Sequence, residues 1–263
     1  MSFYRPGARV CTRTGLVLIP AAGEREYRVA LASYGPLNPP LRGPAGSDVL
    51  SWSRHDTHGG RTIYTASTRG CAFDEVLAGF RRRLGVKDTL VKDAAAVGLT
   101  VGEFIAAVEE DWASLGVPYP GHLPAAWRTG RLMFTVTLPV TGWWVALDAP
   151  ESIAAVRAEL GDRLALFGVT DLDLTVLYGG NRRATVDIAD WVRSGVLDDG
   201  TRPHGIVYRS RHAGGDVHAC WLRAVDAGTS VTAEPVTADA GAPITAADPD
   251  LRATATRYGL SVH

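Results

Sequence analysis

Lysine is almost missing from this 263-residue chain: Lys87 and Lys92 are the only two, so 25 of the 27 basic residues are arginines. Against 28 acidic residues they leave a net charge of -1. A chain so close to neutral has no global field to draw it onto nucleic acid or an anionic membrane, and neither partner is expected. Any polyanion it binds must sit in a local pocket. The arginine bias itself reads as the mark of a GC-rich genome.

Cysteine is scarce and odd in number. Cys11, Cys71 and Cys220 form no C-x-x-C pair, which argues against a disulfide framework and against a thiolate metal cage, and makes a cytoplasmic location the expectation. No stretch approaches the roughly 20 apolar residues of a membrane helix. Arg5, Arg9 and Arg13 are not followed by the apolar run of a secretory signal. The G-x-G-x-x-G, Walker, G-x-S-x-G and H-E-x-x-H signatures are absent too, which removes the commonest nucleotide, hydrolase and zinc readings.

What is present, 46% hydrophobic and 21% charged residues, is enough to enclose a core, as one large domain or two small ones. Gly15 to Ala21, Glu26 to Leu31, Thr62 to Ala66, Leu132 to Leu138, Trp143 to Leu147, Asp173 to Leu177 and Gly205 to Ser210 read as strands. Helices are expected at Cys71 to Leu84, Asp88 to Val97, Val101 to Trp112, from Asp148 to about Leu160, at Arg182 to Ser194 and from Asp248 onward. Thr100 with Glu103, and Asp148 with Glu151, have capping-box spacing. Pro36 to Asp56 and Pro118 to Pro124 are loops, and beyond Asp226 the Ala, Thr, Asp and Pro content suggests weakly structured decoration. Strands separated by single helices and uneven loops predict an α+β domain, a mixed β-sheet core with surrounding helices. The expected layout is an N-terminal extension over 1–25, a domain over 26–225 with a helical insertion at about 84–128, and a tail over 226–263.

Four clusters could carry chemistry. Arg28 stands in an otherwise apolar strand, where it is either an edge arginine or an anion clamp. The polar run Trp52 to Arg61 offers Arg54 or Arg61 to an anion; its His55 and His58 lack a third metal ligand at a matching spacing, so no metal site is expected. Tyr64 lies on the strand before the helix that carries Glu75, a glutamate that could equally be compensating the helix dipole, and Asp74 beside it reads as a surface acid. Last, the strand through Tyr208 ends in Ser210, Arg211 and His212, with the solvated turn as the alternative. Gly179-Gly180-Asn181-Arg182 before a helix could cradle an anion or simply turn the chain.

In order, Tyr-Arg-Val at 27–29, Ser-Arg at 53–54, Gly-Gly-Arg-Thr-Ile-Tyr-Thr-Ala-Ser and Ala-Phe-Asp-Glu-Val-Leu within 59–77, Asn-Arg-Arg-Ala-Thr-Val-Asp-Ile-Ala at 181–189 and Gly-Ile-Val-Tyr-Arg-Ser-Arg at 205–211 resemble the RES domain family. The resemblance implies an ADP-ribosyltransferase-like fold and an NAD-degrading enzyme, a toxin neutralised by an Xre-type antitoxin. Its name residues, an arginine, a glutamate and a serine, match Arg28, Glu75 and Ser210. It further implies Arg28 and Arg54 as ligands of the pyrophosphate or an incoming phosphate, Tyr64 near nicotinamide, Glu75 on the ribose hydroxyls and Tyr208 in the binding set. Arg61 remains the alternative to Arg54, because Thr62 follows Gly-Gly-Arg where the family has Trp-Asn. NAD is then the substrate, with no permanently bound cofactor and inorganic phosphate or water as acceptor. ADP-ribosyl transfer and a non-catalytic nucleotide-binding module of the same fold are the alternatives, and a homodimer is the other assembly considered.

Overall fold

A computed structural model describes residues 6–81, 86–115, 121–212 and 214–263. Its strands are β1 (Arg9–Val10), β2 (Val17–Pro20), β3 (Arg25–Leu31), β4 (Thr62–Ala66), β5 (His122–Leu123), β6 (Arg131–Thr137), β7 (Trp143–Ala146), β8 (Gly205–Arg209), β9 (Asp216–Trp221), β10 (Thr237–Ala238), β11 (Ala242–Pro243) and β12 (Ser261–Val262). The helices are α1 (Arg69–Leu77), α2 (Val86–Ala96), α3 (Val101–Leu115), α4 (Ala125–Thr129), α5 (Pro150–Ala165), α6 (Leu174–Tyr178), α7 (Arg182–Ser194), α8 (Arg223–Asp226) and α9 (Pro249–Tyr258). The fold is mixed α+β, one large sheet with helices around it.

The sheet runs β1-β2-β7-β8-β9-β4-β3-β6-β10, with β11 also on β6. Every pairing in it is antiparallel except β7 with β8, and between those two the chain makes the crossover through α5, α6 and α7 that a parallel pair requires. Side chains alternate between two cores. Val29, Val145, Ile206, Val217 and Ala219 join α1, α5, α7 and α9 on one face, while Ile19, Ile63, Phe134, Val136 and Trp144 fill the other. At the centre, Gly205 is demanded by packing: a Cβ there would lie 1.8 Å from the carbonyl oxygen of Ala219 on β9.

One seam in this sheet stays open. β3 pairs with β6 over all seven residues, and β4 with β9 over five, yet β3 and β4 meet in register only at Tyr27 and Ala66. Beside that single pairing, Thr65 Oγ1 donates to Glu26 Oε2 (2.5 Å) and Glu26 Oε1 faces His218 Nδ1 at 2.8 Å, a buried chain across three strands that pins the seam at one end. Beyond it the strands diverge, and a cleft opens between them.

Several sequence expectations need correction. Asp173 to Leu177 is not a strand: α6 occupies Leu174–Tyr178, because Asp173 caps it by accepting the backbone N–H of Val176 at 2.9 Å. α1 stops at Leu77 and passes into a 3-10 turn over Ala78–Phe80 rather than reaching Leu84, which lies outside the described residues. α5 continues to Ala165, and its N-cap is Ala149 without a side-chain bond; Asp148 instead accepts the hydroxyl of Tyr178 at 2.7 Å. The Thr100 and Glu103 capping box is present, both side chains bonding the other residue's backbone N–H. The part of the Pro118 to Pro124 loop before Gly121 lies outside the described residues.

The segments read as peripheral also belong to the sheet. β2 pairs with β7, and β10 and β11 of the supposed decoration close the edge of β6. These short edge strands bond through backbone alone and admit Pro243, so they show no hydrophobic period. β9 went unread because it is buried on both faces and does not alternate in polarity.

Candidate functional site

The open seam between β3 and β4 forms a cleft of about 450 Å3, within the roughly 300–1,000 Å3 usual for small-molecule sites. Arg28 enters it from β3 and Tyr64 from β4, while Arg54 and Asp56 come from the loop between those strands and Glu75 from α1. Tyr208 reaches it from β8, Arg182 from the start of α7, and Arg211 and His212 from the turn after β8. Ser210 joins through Glu75, donating its hydroxyl to Oε1 at 2.5 Å. The structure therefore brings Arg28, Arg54, Tyr64, Glu75, Tyr208 and Ser210 together. Arg61 stands apart: its backbone N–H and guanidinium both bind Asp226, at 3.0 and 3.2 Å.

The cations of the cleft are held in an unusual way. Arg28 is half-buried, and its Nη1 donates to the carbonyl of Tyr64 (3.1 Å), while its Nε is buried without a hydrogen-bond partner among the described residues. Burial pulls its pKa down to about 10, and Tyr64 and Asp56 oppose the fall. Three more arginines converge on the end of α6. Arg54 and Arg211 donate to the carbonyl of Tyr178 at 3.2 and 2.9 Å, and Arg182 to that of Gly179 at 3.0 Å. Helix ends leave such carbonyls unpaired and slightly negative, so they hold guanidinium groups without neutralising them. Burial, then Arg54 and Arg211, lower the pKa of Arg182. None of these four arginines has a carboxylate within ion-pair distance among the described residues.

Of the two carboxylates lining the cleft, Asp56 is spent. It accepts Arg42 Nε (2.6 Å), the backbone N–H of Ser53 (2.9 Å) and the hydroxyl of Tyr64 (3.0 Å). Burial raises its pKa against the pull of Arg42. Tyr64 also accepts the backbone N–H of His55 (3.0 Å), and burial followed by Asp56 pushes its phenol well up, so it stays neutral. That leaves Glu75, whose bond from Ser210 is neutral. Among the described residues, four guanidinium groups without an ion pair thus share the cleft with one carboxylate that no guanidinium pairs, an arrangement suited to an anionic ligand.

Three histidines, His55 and His58 of the 52–61 run and His212 after β8, have three different settings. His55 is buried against the edge of Tyr208 (ring centroids 4.8 Å apart), and burial, then Arg54 and Arg182, hold it well below its ordinary pKa, hence neutral. His58 turns away to Asp190 at 2.6 Å. His212 lies between Arg81 (2.7 Å) and Arg211 (3.0 Å), with its backbone N–H on the Ser210 hydroxyl, and burial lowers its pKa while Glu75 opposes. The Ser210 hydroxyl donates to Glu75 and accepts the backbone N–H of His212. Among the described residues no cluster of three or more metal-ligating side chains occurs, and no helix is long and apolar enough to cross a membrane.

Reading the sequence left Arg42, Asp56 and Tyr178 unassigned, and Arg182 and Arg211 only as members of wider runs. The available signal was the density of polar residues over 52–61. Asp74, expected at the surface, is 2% exposed and ion-paired to Arg257 at 2.5 Å.

Neither a protein-family model nor a curated protein matches the chain. Among solved structures it is similar to a chain in the crystal structure of the M. tuberculosis MbcT-MbcA toxin-antitoxin complex, at 13% identity and a TM-score of 0.42 over 92% of each chain.

Proposed function

We propose that the chain cleaves NAD between nicotinamide and ribose, as an ADP-ribosyltransferase-like enzyme of RES type, its RES-like part spanning about residues 26–225 and β2, β10 and β11 on either side completing the same sheet. The observation that carries this reading is the charge pattern of the cleft: Arg28, Arg54, Arg182 and Arg211 without carboxylates, opposite the Glu75 and Ser210 pair. A dinucleotide pyrophosphate supplies the missing negative charge, through charge-assisted bonds worth roughly 1.5–3 kcal/mol each.

The chemistry asks little else of the protein. When the C–N glycosidic bond breaks, its electron pair returns to the nicotinamide ring and neutralises the pyridinium, so the leaving group needs no acid. Positive charge then builds on the ribose carbon. Glu75, oriented by Ser210, stabilises that oxocarbenium character as glycosidase carboxylates do. Tyr64, fixed by Asp56 and His55 N–H, presents a neutral ring as a wall for nicotinamide. Phosphate or water then forms the new C–O bond, water releasing its proton to the solvent as it does. Inorganic phosphate is the favoured acceptor, since the arginines that bind pyrophosphate also suit it. In this reading the partner is an Xre-type antitoxin.

The test is the mass of the product formed from NAD by the purified full chain, in phosphate buffer and in a phosphate-free buffer. ADP-ribose 1″-phosphate in the first supports a phosphorylase, and ADP-ribose in both supports a glycohydrolase. Unchanged NAD at high enzyme concentration in both buffers removes the proposal.

A further inference from the structure

A second cleft, of about 510 Å3, lies at the other end of α7 from Arg182. Four guanidinium groups line it, those of Arg163, Arg193, Arg202 and Arg223, along with His58 and Asp190. Its anions are already committed. Asp190 holds the ring and the backbone N–H of His58 (2.6 and 2.9 Å), Asp187 pairs with Arg163, and Asp226 is shared by Arg193 (2.5 Å) and Arg61 (3.2 Å).

Two cations are left over. Arg223 gives Nη2 to the carbonyls of Arg193 (2.7 Å) and Pro203 (3.0 Å), stands over the Trp221 ring, and keeps a buried Nε with no partner. The Nε of Arg193 is likewise buried and unpartnered. Burial, then Arg193 and Arg202, draw the pKa of Arg223 down to about 10, the mark of cations crowded together. Arg202 is exposed and has no carboxylate within ion-pair distance among the described residues. A half-buried cation such as Arg223, with no ion pair among the described residues, is costly unless something anionic joins it.

We propose that this second cleft is a binding site for a phosphate group, clasped by Arg202 and Arg223 with Arg193 behind them. The guanidinium fork matches phosphate oxygens in pairs. The ligand is inorganic phosphate or a small phosphate monoester, which present the same chemistry. The site is independent of the NAD reading: it shares no lining residue with the first cleft.

Isothermal titration of the full chain at low ionic strength with inorganic phosphate, and separately with phenyl phosphate, tests the assignment. The expected result is a component that Arg202→Ala weakens by about tenfold, the loss of one charge-assisted bond, and that Arg54→Ala leaves in place. Arg202→Glu should abolish it; since Arg202 is exposed, neither change threatens folding. Arg223→Gln serves as the second variant, with the same expected loss. Binding of both probes identifies an ester-tolerant site, and binding of inorganic phosphate alone a site for the free ion; each supports the proposal. Phosphate binding that is absent, or unmoved by Arg202→Glu, overturns it. So does binding that disappears wholly with Arg54→Ala, whatever the enzyme does with NAD.

Discussion

Asp74 and Glu75 are neighbours on α1 and are treated in opposite ways. Asp74 turns to the seam with α9, where Arg257 neutralises it, and the same seam ties Arg69 to Asp248 and Asp250. Glu75 turns to the cleft, where among the described residues it receives a serine hydroxyl and no guanidinium. The arginines divide in a similar way: at the seam they meet carboxylates, whereas in the cleft Arg42 meets Asp56 but Arg28, Arg54, Arg182 and Arg211 meet carbonyls. Charge satisfied within the fold is structural, and charge left unsatisfied is available to a ligand.

Substitutions can break that division or sharpen it. Glu75→Gln removes the negative charge from the cleft without changing shape, and should lower nicotinamide release by about 100- to 1,000-fold while the melting temperature holds, as measured by product assay and circular dichroism. Arg28→Met should weaken NAD binding by about tenfold or more, one charge-assisted contact. Stability should not fall with it, because the change also removes a half-buried cation that has no carboxylate; calorimetric titration and denaturant unfolding read the two effects. Asp74→Asn should do the reverse, costing about 1–3 kcal/mol in denaturant unfolding and leaving turnover per folded molecule intact.

A smaller effect follows from His55. Its pKa is depressed in the folded state, so below the ordinary value of about 6.5 the unfolded chain takes up a proton that the native chain refuses. Stability is then full above that pH and is lost as pH falls, at up to about 1.4 kcal/mol per pH unit. His204, lowered by burial, adds in the same sense. His55→Gln should flatten the decline between about pH 6.5 and 5 in urea titrations. Smallest of all, Arg157→Ala removes an exposed pair with Asp171 and should shift stability by less than about 1 kcal/mol.

The sequence displayed the parts of the site better than the means that join them. Arg28, Tyr64 and Glu75 sit on regular elements whose periods were legible, β3, β4 and α1. What could not be read was α6: Leu-Thr-Val-Leu-Tyr has the β-branched look of a strand, and a helix forms there with Asp173 capping it and Leu177 buried. Yet the carbonyls at its end gather Arg54, Arg182 and Arg211. Asp74 was misjudged for a similar reason, because its partner Arg257 lies 183 residues away on α9. The edge strands from the C-terminal segment stayed hidden because backbone pairing leaves no side-chain pattern.

The account stands most directly on proton NMR of NAD incubated with the native chain and with Glu75→Gln. It predicts that free nicotinamide resonances grow with the native protein and stay flat with the variant. Equal growth in both, or none in either, would contradict it.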